Sequence, residues 1–135
     1  MSDCIFCKII KGEIPCTKIY EDQHTLVFLD IAPVNKGHVL IVPKKHCEDM
    51  LDADPAMLGK LMQVSQRIGN ALLKGISAQG FNLQVNNKRA AGQAVFHLHI
   101  HLVPRFADDG LQLWPSKKYT EGEMETFKEK ILKCL

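Results

Sequence analysis

The chain contains no apolar run of 18 residues, so no membrane-spanning helix and no membrane partner is expected. It has no block of basic residues. Its 17 lysines and arginines stand against 15 aspartates and glutamates, and a net charge of +2 predicts no nucleic-acid partner. The opening stretch MSDCIFCKIIKGEIP lacks the apolar core and small-residue end of a secretory signal, which predicts a cytoplasmic protein. No internal repeat and no low-complexity linker divides the 135 residues, which are therefore read as a single domain with room for a substantial core. Its 5 cysteines are odd in number and do not make a disulfide framework. The tight pair Cys4-x-x-Cys7 points instead to thiols or metal ligands under reducing conditions.

What is there has ordinary punctuation for a mixed fold. Lys18 to Tyr20 and Thr25 to Asp30 read as a hairpin around the polar turn Glu21-Asp22-Gln23-His24, and His38 to Val42 as a strand stopped by Pro43. Asp54-Pro55 is a helix-start pair, with Asp as cap and Pro in the first turn. Leu58, Leu61, Met62, Ser65, Ile68 and Leu72 follow at helical spacing to Lys74-Gly75. Such a stripe is read as core or dimer packing rather than as a cofactor site. Phe81 to Val85 reads as a further strand, and Lys88 to Gln93 as a loop of small residues. Thr120-x-x-Glu123 suggests a capping box, ahead of a C-terminal helix striped by Met124, Phe127, Ile131 and Leu132. About five strands, largely in hairpins, and two main helices predict an α+β fold with an antiparallel sheet.

The segment Phe96-His97-Leu98-His99-Ile100-His101-Leu102-Val103-Pro104-Arg105 holds half of the 6 histidines. Strict alternation is the period of a strand, which would set three imidazoles on one face, successive Cα atoms roughly 6.6–6.8 Å apart. A lone strand histidine is usually a core or hydrogen-bonded residue, but a row of three is harder to dismiss. One metal on all three rings is disfavoured, because the outer Cα atoms lie about 13 Å apart on an extended strand and Zn–N bonds are only about 2.0–2.1 Å. A metal on one or two rings stays open.

Gly92-Gln93-Ala94-Val95-Phe96-His97-Leu98-His99-Ile100-His101-Leu102-Val103 resembles the signature of the histidine triad (HIT) family. Cys4 to Ile10, Glu13-Ile14-Pro15, Phe28 to Ile31 and Gly37 to His46 add to the resemblance in the expected order. The resemblance covers about residues 3–106. It implies a HIT-like domain with that core, and a C-terminal extension over about 107–135. It also implies a homodimer that acts on purine nucleotides: nucleoside phosphoramidates or dinucleoside polyphosphates.

By that resemblance, His99 is the nucleophile that forms a covalent nucleotidyl-histidine at the α-phosphate, and His101 assists at the phosphate. The backbone amides of Gln93, Ala94 and Val95, opened by Gly92, would meet phosphate oxygens. Asn86 would join them, although it is also a plausible turn residue. Asp30 would accept from the ribose hydroxyls, with a strand-end cap as its plainer reading. Phe6, Phe28 and Ile31 would form the base pocket; taken singly, each is as readily plain core. Ala94 stands where many relatives carry Ser or Thr, which puts leaving-group protonation in question. Cys4, Cys7, His46 and His97 make a Cys₂His₂ set suited to a structural zinc, with Cys47 as substitute ligand. Cys16 and Cys134 have no assigned partner, and Trp114 lies where related chains shape the substrate pocket. A different class also stays open, in which the protein senses or scaffolds nucleotides and hydrolysis is incidental.

Overall fold

The structure, a computed structural model, describes residues 3–135. Its centre is a five-stranded antiparallel sheet. The strands are β1 (Lys18–Glu21), β2 (Thr25–Leu29), β3 (Val39–Pro43), β4 (Gly80–Gln84) and β5 (Ile100–Arg105), in the order β1-β2-β3-β5-β4. The first hairpin turns on Asp22. Its carboxylate accepts from the amides of His24 at 2.8 Å and Thr25 at 2.7 Å, which closes the turn.

Strands β2 and β3 are apolar on both faces because both faces are covered. Val27, Val39 and Ile41 face helix α2 (Pro55–Gly75) and pack with Leu61, Val64, Ile68, Leu72, Leu98, Ile100 and Leu102. Leu26, Phe28, Leu40 and Val42 face the other way and pack with Phe6. Asp54 caps α2 as its sequence suggests: the carboxylate accepts from the Ala56 amide at 2.8 Å, and Pro55 occupies the first turn. Of the expected stripe, Met62 is exposed and Val64 takes a place in the core.

A short helix α1 (Ile5–Ile10), not anticipated in the sequence, carries Phe6 onto the second face of the sheet. The C-terminal helix α3 (Glu123–Leu132) begins later than the suggested box implies. Only half of that box forms: the Glu123 carboxylate accepts from the Thr120 amide at 3.0 Å, while the Thr120 hydroxyl caps nothing and Gly122 is the cap. The stripe Met124, Phe127, Ile131 and Leu132 stands exposed.

The largest departure concerns the histidine strand. Its ladder begins at Ile100, not at Phe96. β3 and β5 pair with Ile41 opposite Ile100, so Val42 would next face His99, and Pro43 would then face Leu98. Pro43 has no N–H to continue the ladder. Its carbonyl instead accepts from His97 Nε2 at 2.8 Å, and the Leu98 amide turns to the Cys47 carbonyl at 2.8 Å. The chain bends over residues 95–97, and the three histidines no longer share one flat face.

Candidate functional site

Four expected metal ligands converge. The Sγ atoms of Cys4 and Cys7 and the Nδ1 atoms of His46 and His97 lie within 4.8 Å of one another. Cys4 Sγ is 3.4 Å and Cys7 Sγ 3.6 Å from His97 Nδ1, Cys7 Sγ is 3.4 Å from His46 Nδ1, and the two Nδ1 atoms are 3.1 Å apart. A zinc tetrahedron with ordinary bond lengths has S···N edges of about 3.5 Å and N···N edges of about 3.3 Å. The donor set therefore fits such an ion. The bend at His97 makes this possible, and the Nε2–H bond to Pro43 leaves the Nδ1 lone pair free for a metal. Cys47 is buried in the α2 core and does not join the set.

His99 and His101 sit beside this cluster, their rings 4.8 Å apart between centroids. Burial pushes the pKa of His97, His99 and His38 below the usual histidine value. His101 is pushed down to about 4, first by burial and then by the neighbouring His99 and His38. Near pH 7 the rings are neutral, so each has one N–H, and hydrogen bonds decide which nitrogen carries it.

The assignment runs through the site without conflict. The Val34 amide donates to His38 Nδ1 at 3.1 Å, so that nitrogen is the acceptor and His38 Nε2 carries the hydrogen. His38 Nε2 then donates to His101 Nδ1 at 2.9 Å, which places the His101 hydrogen on Nε2. His99 Nδ1 donates to the His97 carbonyl at 2.7 Å, which leaves His99 Nε2 as the free lone pair. The pair thus offers one unprotonated nitrogen and one N–H donor.

Asp30, His38 and His101 also approach within metal-ligand range. The Val34 contact argues against that use, because a metal on His38 Nε2 would displace the ring's only hydrogen while Nδ1 is already an acceptor. His38 was not a candidate in the sequence. A lone histidine at the mouth of an apolar strand has no pattern to mark it.

The proposed nucleotide residues surround the pair in part. Phe6 meets Phe28 edge-on at 5.7 Å and His99 at 5.2 Å, which builds an apolar wall with Leu26, Leu40, Val95 and Cys16. Asp30 Oδ2 is 3.7 Å from His38 Nε2. Its Oδ1 accepts from the Ala32 amide at 2.9 Å, and the chain turns outward there. Ile31, expected in the base pocket, is consequently 100% exposed and outside the packed wall.

In the loop before the histidine segment, Gly92 has φ +91°, a left-handed conformation that favours glycine, and follows a 3₁₀ turn over Arg89–Ala91. Asn86 Nδ2 lies 3.6 Å from where a Cβ on Gly92 would be, so Asn86 borders that loop. Ala94 is exposed and Val95 half-buried. The Gln93 side chain is buried and points into the protein, where Nε2 donates to the carbonyls of Glu48 at 2.7 Å and Val95 at 3.1 Å, and its backbone amide, expected at a phosphate, is turned instead to the Lys88 carbonyl at 3.2 Å.

Comparison with known proteins fits this arrangement. A family profile described as "HIT domain" matches residues 11–108. A protein of Arabidopsis thaliana named adenylylsulfatase HINT3 is 40% identical over 136 residues, 99% of this chain and 68% of that protein. A Schizosaccharomyces pombe protein named adenosine 5'-monophosphoramidase hnt1 is 38% identical, covering 95% of each chain. The crystal structure of a Zn-bound histidine triad family protein from Mycobacterium smegmatis superposes with a TM-score of 0.80 at 35% identity, covering 99% of each chain.

Proposed function

Because the chain belongs to the HIT family, we propose that it is a nucleotide hydrolase or nucleotidyl transferase that works at an α-phosphate through His99. The observation that carries this reading is the tautomer order: His99 Nε2 is left as a free lone pair beside a His101 that keeps its hydrogen on Nε2. His99 Nε2 attacks the α-phosphorus and forms a P–N bond. The bond to the leaving group breaks, and the leaving group departs with that electron pair. Water then attacks the same phosphorus and gives up a proton to solvent, and the P–N bond breaks with its electron pair returning to Nε2, which restores neutral His99.

The other residues bind and orient. His101 Nε2–H and the amides of Ala94 and Val95 donate to phosphate oxygens as charge builds there, with Asn86 alongside. Asp30 accepts from the ribose. Phe6 and Phe28 back the base, and Ile31 forms its open lip. Zinc, when bound by Cys4, Cys7, His46 and His97, supplies a structural cross-link between α1, the segment after β3 and the turn into β5. We read residues 1–135 as one domain, cytoplasmic and homodimeric. The dimer is supported by β4, an edge strand whose Phe81 and Leu83 stand exposed.

The substrates that suit this site are mixed anhydrides or amides of a purine nucleotide. The names of the two relatives point to adenylyl sulfate and an adenosine phosphoramidate. Ala94, which has no hydroxyl to protonate a leaving group, favours a second reading in which the protein senses nucleotides and turns them over slowly. The two separate in one experiment: adenylyl sulfate, an adenosine phosphoramidate and dinucleoside polyphosphates are offered to the wild type and to His99→Ala. The enzyme reading expects turnover of at least one substrate by wild type alone. Binding without turnover selects the sensor.

A further inference from the structure

The loop that would meet the phosphate is not held by its own hydrogen bonds alone. It is tied to the segment after β3, residues 46–52, which begins with His46. Lys88 Nζ pairs with Asp49 Oδ2 at 2.6 Å, the Met50 amide donates to Asn87 Oδ1 at 2.9 Å, and Gln93 Nε2 reaches the Glu48 carbonyl. Gln93 Oε1 closes the loop on itself by accepting from the Lys88 amide at 2.8 Å. Asp49 is only 2% exposed, and its other oxygen accepts from the amides of Leu51 at 2.9 Å and Asp52 at 3.3 Å. A buried carboxylate with one oxygen for its own loop and one for Lys88 is a built contact, not a chance surface pair.

The backbone at Lys88 points the same way. Its φ of 74° and ψ of 160° lie in a region that glycine alone adopts freely. A lysine there persists because its surroundings over-determine it. Its side chain is anchored at Asp49 and its amide at Gln93.

We propose that Asp49, Lys88 and the Gln93 side chain are positioning residues that hold the amides of Ala94 and Val95 in place for a nucleotide phosphate. The inference rests on the nucleotide reading above and deepens it. Gln93 therefore ties the loop twice, its backbone amide donating to the Lys88 carbonyl at 3.2 Å and its side chain reaching Glu48. Two substitutions isolate the clamp. Asp49→Asn keeps the oxygen that serves Leu51 and Asp52 but sets an amide against the lysine. Lys88→Gly relieves the unfavourable φ but removes the ammonium, so a purely conformational role for this position predicts an unchanged or improved protein.

The test combines AMP affinity by calorimetry, hydrogen exchange of amides 88–95, and kcat and KM on an adenosine phosphoramidate. Loss of a charged contact whose carboxylate is buried is expected to weaken AMP binding about tenfold in both variants. KM should rise more than kcat falls, exchange should speed up across residues 88–95, and Lys88→Arg should recover most of the loss. Unchanged AMP affinity and exchange in Lys88→Gly would overturn the clamp even if Asp49→Asn fails to fold. A wild type that binds AMP but turns over nothing removes the enzyme reading and leaves the clamp to stand or fall on affinity and exchange. A wild type that does not bind AMP overturns both.

Discussion

At the scale of single residues, the site depends on where four imidazole hydrogens sit. The proposed division of labour among His97, His99 and His101 comes from the resemblance alone, since alternation treats the three alike. The structure separates them by partner: a proline carbonyl and a thiol pair for His97, a backbone carbonyl for His99, another imidazole for His101. The His38 ring and the inward Gln93 amide were not legible, because their roles exist only once distant segments meet. A pH prediction follows from the buried rings. His101 titrates at about 4 in the folded protein, against about 6.5 for a free imidazole, and His38 is displaced in the same direction. Between these values the unfolded chain binds more protons than the folded one, so stability is complete above about pH 6.5 and is lost as pH falls toward about 4. Urea midpoints should drop between pH 7.5 and pH 5, and His101→Gln should flatten that drop. A midpoint that rises on acidification would reverse the sign argued here.

At the scale of elements, helix α2 was readable from end to end, because a capped, amphipathic helix declares its period and its start. Leu61, in its second turn, is 0% exposed, so Leu61→Ala should cost about 2–5 kcal/mol, measurable by denaturant unfolding. A loss under about 1 kcal/mol would mean that the helix is not packed as described. The N-terminal helix was not readable: six residues are too few to show a period, and what holds them is tertiary. Cys4 and Cys7 bracket Phe6, so the two thiols that fit a metal also set the ring that backs His99. Cys4→Ala should lose about one equivalent of zinc from the purified protein. Retention of full metal content would rule the four-ligand set out. The histidine strand shows the limit of period reading from the other side: alternation continues through His97, but a proline on the neighbouring strand ends the ladder at Ile100.

At the scale of the whole molecule, the α+β class and the antiparallel sheet followed from element count and hairpin spacing, and the family settles the topology around them. The outer surfaces were less legible. Phe81 and Leu83 on the edge strand keep over a third of their surface open, and Trp114 at 87% exposure and the exposed stripe of α3 find little cover among the described residues. A hydrophobic pattern says that a face will be buried, not in which chain. The proposed homodimer is checked by sedimentation at micromolar concentration, where a mass of one chain would contradict it. The central claim is narrower: one ring, His99, carries the nucleotide between attack and release. Its most direct measurement is mass analysis of peptides from wild-type protein quenched by base during turnover of an adenosine phosphoramidate. The account predicts an adenylyl adduct on the peptide that contains His99, absent from His99→Ala; steady turnover with no adduct, or equal turnover by His99→Ala, would contradict it.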